Sequence, residues 1–192
     1  MTRRQATLPP EYFEEKYKSD IDPWRFRTSE YERDKYRATL RSLTRESYAA
    51  GLEVGCSIGV LTKLLSARCV NLLAIDTSET AIEAARSVND GNVSFRRATL
   101  PEDYPAGTFD LIVLSEVLYY FEKADLERVA RSCIQSIARD GEVVLCHWLG
   151  ETDYPLTGRE ASELFAEVTR SVLPVRSVLH DEVYRLERFS AS

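Results

Sequence analysis

A chain of 192 residues is long enough for one sizeable hydrophobic core and short for two; with 44% hydrophobic and 29% charged residues it belongs among folded chains, not disordered ones. A formal net charge of -6 works against a broad grip on nucleic-acid phosphates or anionic membranes, so neither partner is expected. The opening MTRRQATLPPEYFEEKY has no apolar leader core and no apolar run approaches the ~18 residues of a membrane span, which makes a cytoplasmic protein the expectation.

In chain order, PPEYFEEKY reads as a short helix, SDIDPWRFRT as a loop, and SEYERDKYRATLRSL as a helix capped by Ser29, with apolar positions at Tyr36, Leu40 and Leu43. From Ala50 the pattern changes to short apolar runs alternating with helical stretches, as repeated βαβ units around a parallel sheet require. Strands are expected at 50–54, 71–75, 93–96, 109–114 and 141–147, and helices near 59–67, 78–88 and 124–138, with Gly141 as a helix-to-strand turn. A helix over 157–173 and a hairpin around His180 and Asp181 close the chain. The expected organisation is a single domain over 1–192, with a helical cap at 1–48 and an α/β core at 49–192. The four cysteines, Cys56, Cys69, Cys133 and Cys146, form no C-x-x-C pair; buried free thiols and no metal site are expected.

The stretch LEVGCSIGVL places Gly55 and Gly59 in the first strand-to-helix turn, behind the acidic Glu53. A backbone without Cβ lets a ligand approach closely and meet amide groups at a helix start. The string lacks the G-x-G-x-x-G spacing of a dinucleotide pyrophosphate, so a ligand without phosphates fits better than NAD. Asp76 ends the second strand, where a carboxylate accepts from ribose hydroxyls; Asp76-Thr77-Ser78 also reads as a cap of the next helix. Together the glycine turn and the acid point to adenosine recognition.

GLEVGCSIGVLTKLLS, the acid in LLAIDTS and TFDLIVLSEVLYYFE together resemble the class I S-adenosylmethionine-dependent methyltransferases. That resemblance implies an α/β, Rossmann-like, seven-stranded and mostly parallel sheet with helices on both faces, its last strand antiparallel, and an N-terminal helical lid that closes over bound cofactor. It implies S-adenosylmethionine as cofactor and S-adenosylhomocysteine as product, held by Glu53, Gly55, Cys56, Gly59, Asp76 and Thr77, with Thr99 and Leu100 at the adenine and Ser115 beside the methyl. DPWR at 22–25, YERDKY at 31–36 and SEVLYYFE at 115–122 resemble the NodS family of nodulation N-methyltransferases, which implies a deacetylated chitooligosaccharide amine as acceptor. A small-molecule O- or N-methyltransferase with another acceptor stands beside that reading.

Methyl transfer from a sulfonium is an in-line displacement in which the protein aligns the reactants and excludes water. An amine must be neutral to attack, and Glu116 and His147, at the ends of the fourth and fifth strands, are the candidates to orient it or take its proton. A packed histidine and a helix-capping glutamate are the competing readings. Trp24, Tyr119 and Tyr120 are candidates to line a sugar or surround the sulfonium, with Trp148 beside them; ordinary core packing competes. Arg25 and Arg33 are candidates for the cofactor carboxylate, against local ion pairing.

Overall fold

The computed structural model describes residues 3–89 and 91–190. Two helices come first, α1 (Pro10–Ser19) and α2 (Glu30–Ser42), followed by β1 (Tyr48–Val54), α3 (Val60–Ser66), β2 (Cys69–Asp76), α4 (Glu79–Arg86) and β3 (Val93–Arg97). The second half comprises β4 (Phe109–Ser115), a 3-10 turn at Leu118–Tyr120, α5 (Lys123–Ser136), β5 (Ile137–Trp148), α6 (Gly158–Thr169), β6 (Val175–His180) and β7 (Tyr184–Ser190). The seven strands form one sheet in the order 3-2-1-4-5-7-6. β7 runs antiparallel to β5 and β6, while β1, β2 and β3 pair in parallel, as do β4 and β5. The expected mostly parallel sheet with an antiparallel last strand is therefore present.

The chain divides into two compact units, residues 9–99 and residues 1–8 with 100–192. In the first, Leu52, Val54, Leu72 and Ile75 of the strands are buried, as are Leu61 and Leu65 of α3 and Ile82 and Ala85 of α4. Each such Leu or Ile contributes ~1.5–3 kcal/mol relative to an exposed side chain. Ser29 caps α2 by accepting from the Glu32 N–H, and Ser78 caps α4 by accepting from Ala81. In the second unit, Leu111 to Leu114 of β4 and Val143 to Cys146 of β5 are buried without alternation, which is why these strands read as continuous apolar runs. Phe165 of α6 packs edge-on against Phe189 of β7 at 5.4 Å between centroids.

Gly141 corrects one expectation. The helix-to-strand switch comes earlier, at Ile137, and Gly141 lies inside β5, where the pairing with β4 jumps from Phe109–Ile137 to Leu111–Glu142. The extra residues bulge out, and a Cβ at Gly141 would sit 2.6 Å from Ile137 Cδ1. The expected 157–173 helix ends sooner, at Thr169, ahead of Pro174. Among the described residues no helix is long and apolar enough to cross a membrane and no His, Cys, Asp and Glu cluster is suited to a metal. All four cysteines are free and buried.

Candidate active site

In the unit of residues 9–99 the glycine turn is built as its sequence requires. Gly55 and Gly59 have φ of 75° and 79°, and Ser57 between them is also left-handed at 51°. A Cβ at Gly59 would lie 3.1 Å from the Ala85 backbone, so the position excludes side chains on grounds of both φ and space. Ile75 of β2 anchors the start of the turn, its carbonyl accepting from the N–H groups of Gly55 at 2.8 Å and Cys56 at 2.9 Å.

Asp76 ties the turn to the next strand. One carboxylate oxygen accepts from the Ser57 N–H and the other from the Ser78 N–H, both at 2.9 Å. The aspartate thus steadies the glycine turn and the entry to α4 together, while the cap of α4 is Ser78. Burial raises its pKa, against the pull of these amides. Beyond it, Thr77 and Thr99 share a 2.8 Å hydroxyl contact and Ala98 donates to the Asp76 carbonyl at 2.9 Å. Leu100, buried, begins the other unit.

Glu53 is 2% exposed. Burial, with the Asp76 charge added, pushes its pKa up to about 8, so the carboxyl is protonated at neutral pH. Its Oε2 is buried without a hydrogen-bond partner, as is the Thr62 hydroxyl. A neutral buried carboxyl beside the glycine turn can meet a ligand's polar hydrogens, and the missing G-x-G-x-x-G spacing argues for a ligand without phosphates. Cys56 is buried against Ala74 and Ile82, and burial pushes its thiol pKa well up, so it is a packed thiol, not a thiolate.

Two anchors here escaped the sequence reading. The Tyr17 hydroxyl of α1 donates to Ser57 Oγ at 2.6 Å. Glu14, also on α1, accepts from the hydroxyls of Ser78 and Thr80, each at 2.7 Å, and those bonds hold its pKa down at about 2. On sequence Glu14 looks like one more charge on a solvated face, because its partners lie 64 and 66 positions away. Trp24 is half-buried, its ring 5.5 Å from Tyr17 and stacked on Phe26 at 5.7 Å. Asp22 folds its loop by accepting from the N–H groups of Phe26 and Arg27. Arg25 pairs with Asp20, and exposed Arg33 donates to the Thr28 carbonyl. Both arginines make local contacts, the ion pairing that stood beside the cofactor-carboxylate expectation for Arg25 and Arg33.

The other unit carries the remaining candidates. Ser115 ends β4, and Glu116 follows in the left-handed region at φ 57°, its N–H bonded to the Cys146 carbonyl at 2.8 Å. A glutamate held there is strained, and the hold is specific: its Oε2 accepts from the Tyr119 hydroxyl at 2.6 Å and the Trp148 N–H at 3.0 Å. It caps no helix, since α5 starts at Lys123 without a side-chain cap.

His147, expected either as a base or as a packed histidine, has the surroundings of the second. It is 0% exposed, and its Nε2 accepts the Leu118 N–H at 3.2 Å, so the lone pair a base would use is already engaged. Its role here is to hold the turn that carries Tyr119 and Tyr120. Those rings meet edge-on at 4.7 Å, and Tyr154, which the sequence reading passed over, stacks on Tyr119 at 5.5 Å and 16°. Trp148 is 37% exposed.

The family model described as "Nodulation protein S (NodS)" matches residues 12–150. The chain is 33% identical over 127 residues to nodulation protein S of Bradyrhizobium diazoefficiens and 32% identical over 127 residues to that of Sinorhizobium fredii, in each case over 64% of this chain. It spans 61% and 59% of those two relatives, about three-fifths of their length. The crystal structure of the N-methyltransferase NodS from Bradyrhizobium japonicum WM9 with S-adenosyl-L-homocysteine superposes with a TM-score of 0.82 at 25% identity, covering 93% of this chain and 97% of that one.

Proposed function

The chain belongs to the nodulation protein S family, and from that premise we propose that it is an S-adenosylmethionine-dependent N-methyltransferase whose acceptor is the amine of a deacetylated chitooligosaccharide. The observation that carries the reading is Asp76 bridging the amides of Ser57 and Ser78 across a turn bent tightly by the left-handed Gly55, Ser57 and Gly59. A solved family member holds S-adenosylhomocysteine, which accords with it.

In this reading Gly55, Cys56 and Gly59 present backbone to the adenosyl group, and Asp76 takes the ribose hydroxyls, with Thr77, Thr99 and Leu100 toward the base. Glu53 offers the donor a neutral carboxyl as a hydrogen-bonding group, Trp24 closes over the cradle, and Ser115 lines the methyl position. When bound, the cofactor supplies a methyl on a sulfonium, whose C–S bond breaks as the amine's lone pair forms the new C–N bond. Glu116 orients the neutral amine through an N–H···O bond and takes the proton that the methylated nitrogen sheds. Tyr119, Tyr120 and Trp148 flank the acceptor. In this reading residues 1–192 are a single cytoplasmic methyltransferase domain with a helical cap at 1–48.

Residues 151–192 lie beyond the segment that the family model matches, so a methyltransferase of another small metabolite is the second reading. Incubation with labelled S-adenosylmethionine and either glucosamine-terminated or fully acetylated chitooligosaccharides separates the two. Label on the first alone is expected. Label on neither contradicts the sugar acceptor.

A further inference from the structure

We propose that Tyr154 is a specificity-determining residue for the acceptor: with Tyr120, and backed by the buried Tyr119, it makes an aromatic wall that receives the apolar face of a pyranose ring. This rests on the amino-sugar reading above and adds to it the feature that selects a sugar over a small acyclic amine.

The three rings form one closed set. Tyr154 stacks on Tyr119 at 5.5 Å and meets Tyr120 edge-on at 4.7 Å, while Tyr119 and Tyr120 meet edge-on at 4.7 Å. Packing into the core accounts for Tyr119, which is 6% exposed, but not for the other two. The core rings of the same unit, Phe165 and Phe189, are 0% exposed, whereas Tyr120 and Tyr154 both keep part of their surface in solvent. Their backbones are fixed from two directions. Leu156 donates to the Tyr119 carbonyl at 3.3 Å and Leu8 to the Tyr120 carbonyl at 2.9 Å. The loop itself is strapped by Arg4, whose backbone N–H donates to the Asp153 carbonyl at 2.8 Å and whose guanidinium pairs with the Asp153 carboxylate at 3.0 Å.

The wall ends on a charge. Tyr119 spends its hydroxyl on Glu116 Oε2, so a ring lying against these tyrosines meets a carboxylate beside it. Sugars present C–H groups on one face and polar substituents at the rim, and a rigid phenol face with a carboxylate at its edge complements a 2-amino sugar at low entropic cost. Tyr154 lies outside the residues 12–150 that the family model matches, whereas Tyr119 and Tyr120 lie inside them. The third ring is thus carried by a part of the chain that the model does not describe.

The test uses the full chain, with Tyr154→Ala, Tyr154→Leu and Tyr154→Phe compared with wild type. Steady-state kinetics on glucosamine-terminated chitotetraose and calorimetric titration of S-adenosylhomocysteine are read together. Loss of one stacked ring is expected to raise KM for the sugar about tenfold in both the Ala and the Leu variant, with kcat within about threefold and cofactor affinity within about twofold. Tyr154→Phe keeps the ring and should match wild type. An unchanged KM in a folded Leu or Ala variant overturns the proposal, and so does a Phe variant as impaired as Ala, which would make the hydroxyl the active group. Parallel loss of cofactor affinity would mean general damage to the fold and equally overturns it. A wild-type chain that methylates no amino sugar contradicts the acceptor reading itself, an outcome distinct from activity that is indifferent to Tyr154.

Discussion

In the proposed reading the two units recognise their ligands in different ways. In residues 9–99 the work is done by main chain: left-handed glycines, the amides of Ser57 and Ser78, and one aspartate joining them. In the other unit it is done by side chains that meet only through tertiary packing, with Tyr119, Tyr120 and Tyr154 in mutual contact and Glu116 bonded to Tyr119. A backbone site tolerates little change at its few fixed positions. A side-chain site can be retuned one ring at a time.

Substitutions that separate the two units test this contrast. The largest effect is expected for Gly59→Val: the left-handed φ and the Ala85 backbone at 3.1 Å from any Cβ leave no room, and calorimetry should detect no binding of S-adenosylhomocysteine. Retained binding would mean that the turn is not the cradle. Next comes a crossed pair. Asp76→Ala should weaken cofactor binding by about a hundredfold, since it removes a buried acceptor from two amides as well as from the ligand. Glu116→Gln should leave cofactor affinity alone and lower kcat by about a hundredfold or more, as loss of a general base does. Equal damage to affinity from both variants would erase the distinction.

Why one unit was legible in the sequence and the other less so follows from the same contrast. Gly55, Gly59 and Asp76 are local signals, since a turn that needs positive φ favours glycine and a strand end that needs a carboxylate must show one. Tyr154 stands in a loop without periodicity, and only its contacts with Tyr119 and Tyr120 give it meaning. His147 was conspicuous as one of two histidines, yet its environment makes it an acceptor of the Leu118 amide, and environment is not written in the residue type. Gly141 misled for a related reason: glycine marks a bulge as readily as a helix end, and only the register with β4 tells them apart. The order of strands and helices was legible because buried parallel strands and amphipathic helices differ in period.

Smaller effects sharpen the account of the cofactor unit. Tyr17→Phe deletes one buried hydrogen bond to Ser57, worth about 1 kcal/mol, and should weaken S-adenosylhomocysteine about fivefold by calorimetry. No change would detach α1 from the turn. The smallest is a pH effect on stability. Glu53, with its pKa raised to about 8 in the fold, holds a proton that the unfolded chain gives up near the usual carboxylate value of ~4.3. Between those values the folded state binds more protons, so the group withdraws stability as pH rises toward 8 and has no such effect below about 4. Glu53→Gln should therefore raise Tm relative to wild type by a few degrees more at pH 8.5 than at pH 5 in thermal melts. The opposite trend would show that Glu53 is ionised in the fold.

The central claim is that residues 9–99 cradle an adenosyl sulfonium without phosphates. Calorimetric titration of the wild-type chain with S-adenosylhomocysteine and, separately, with NAD tests it most directly. The account predicts one-to-one binding of the first, largely lost in Asp76→Ala, and no detectable binding of the second. Tight binding of NAD, or S-adenosylhomocysteine binding that is indifferent to Asp76, would contradict it.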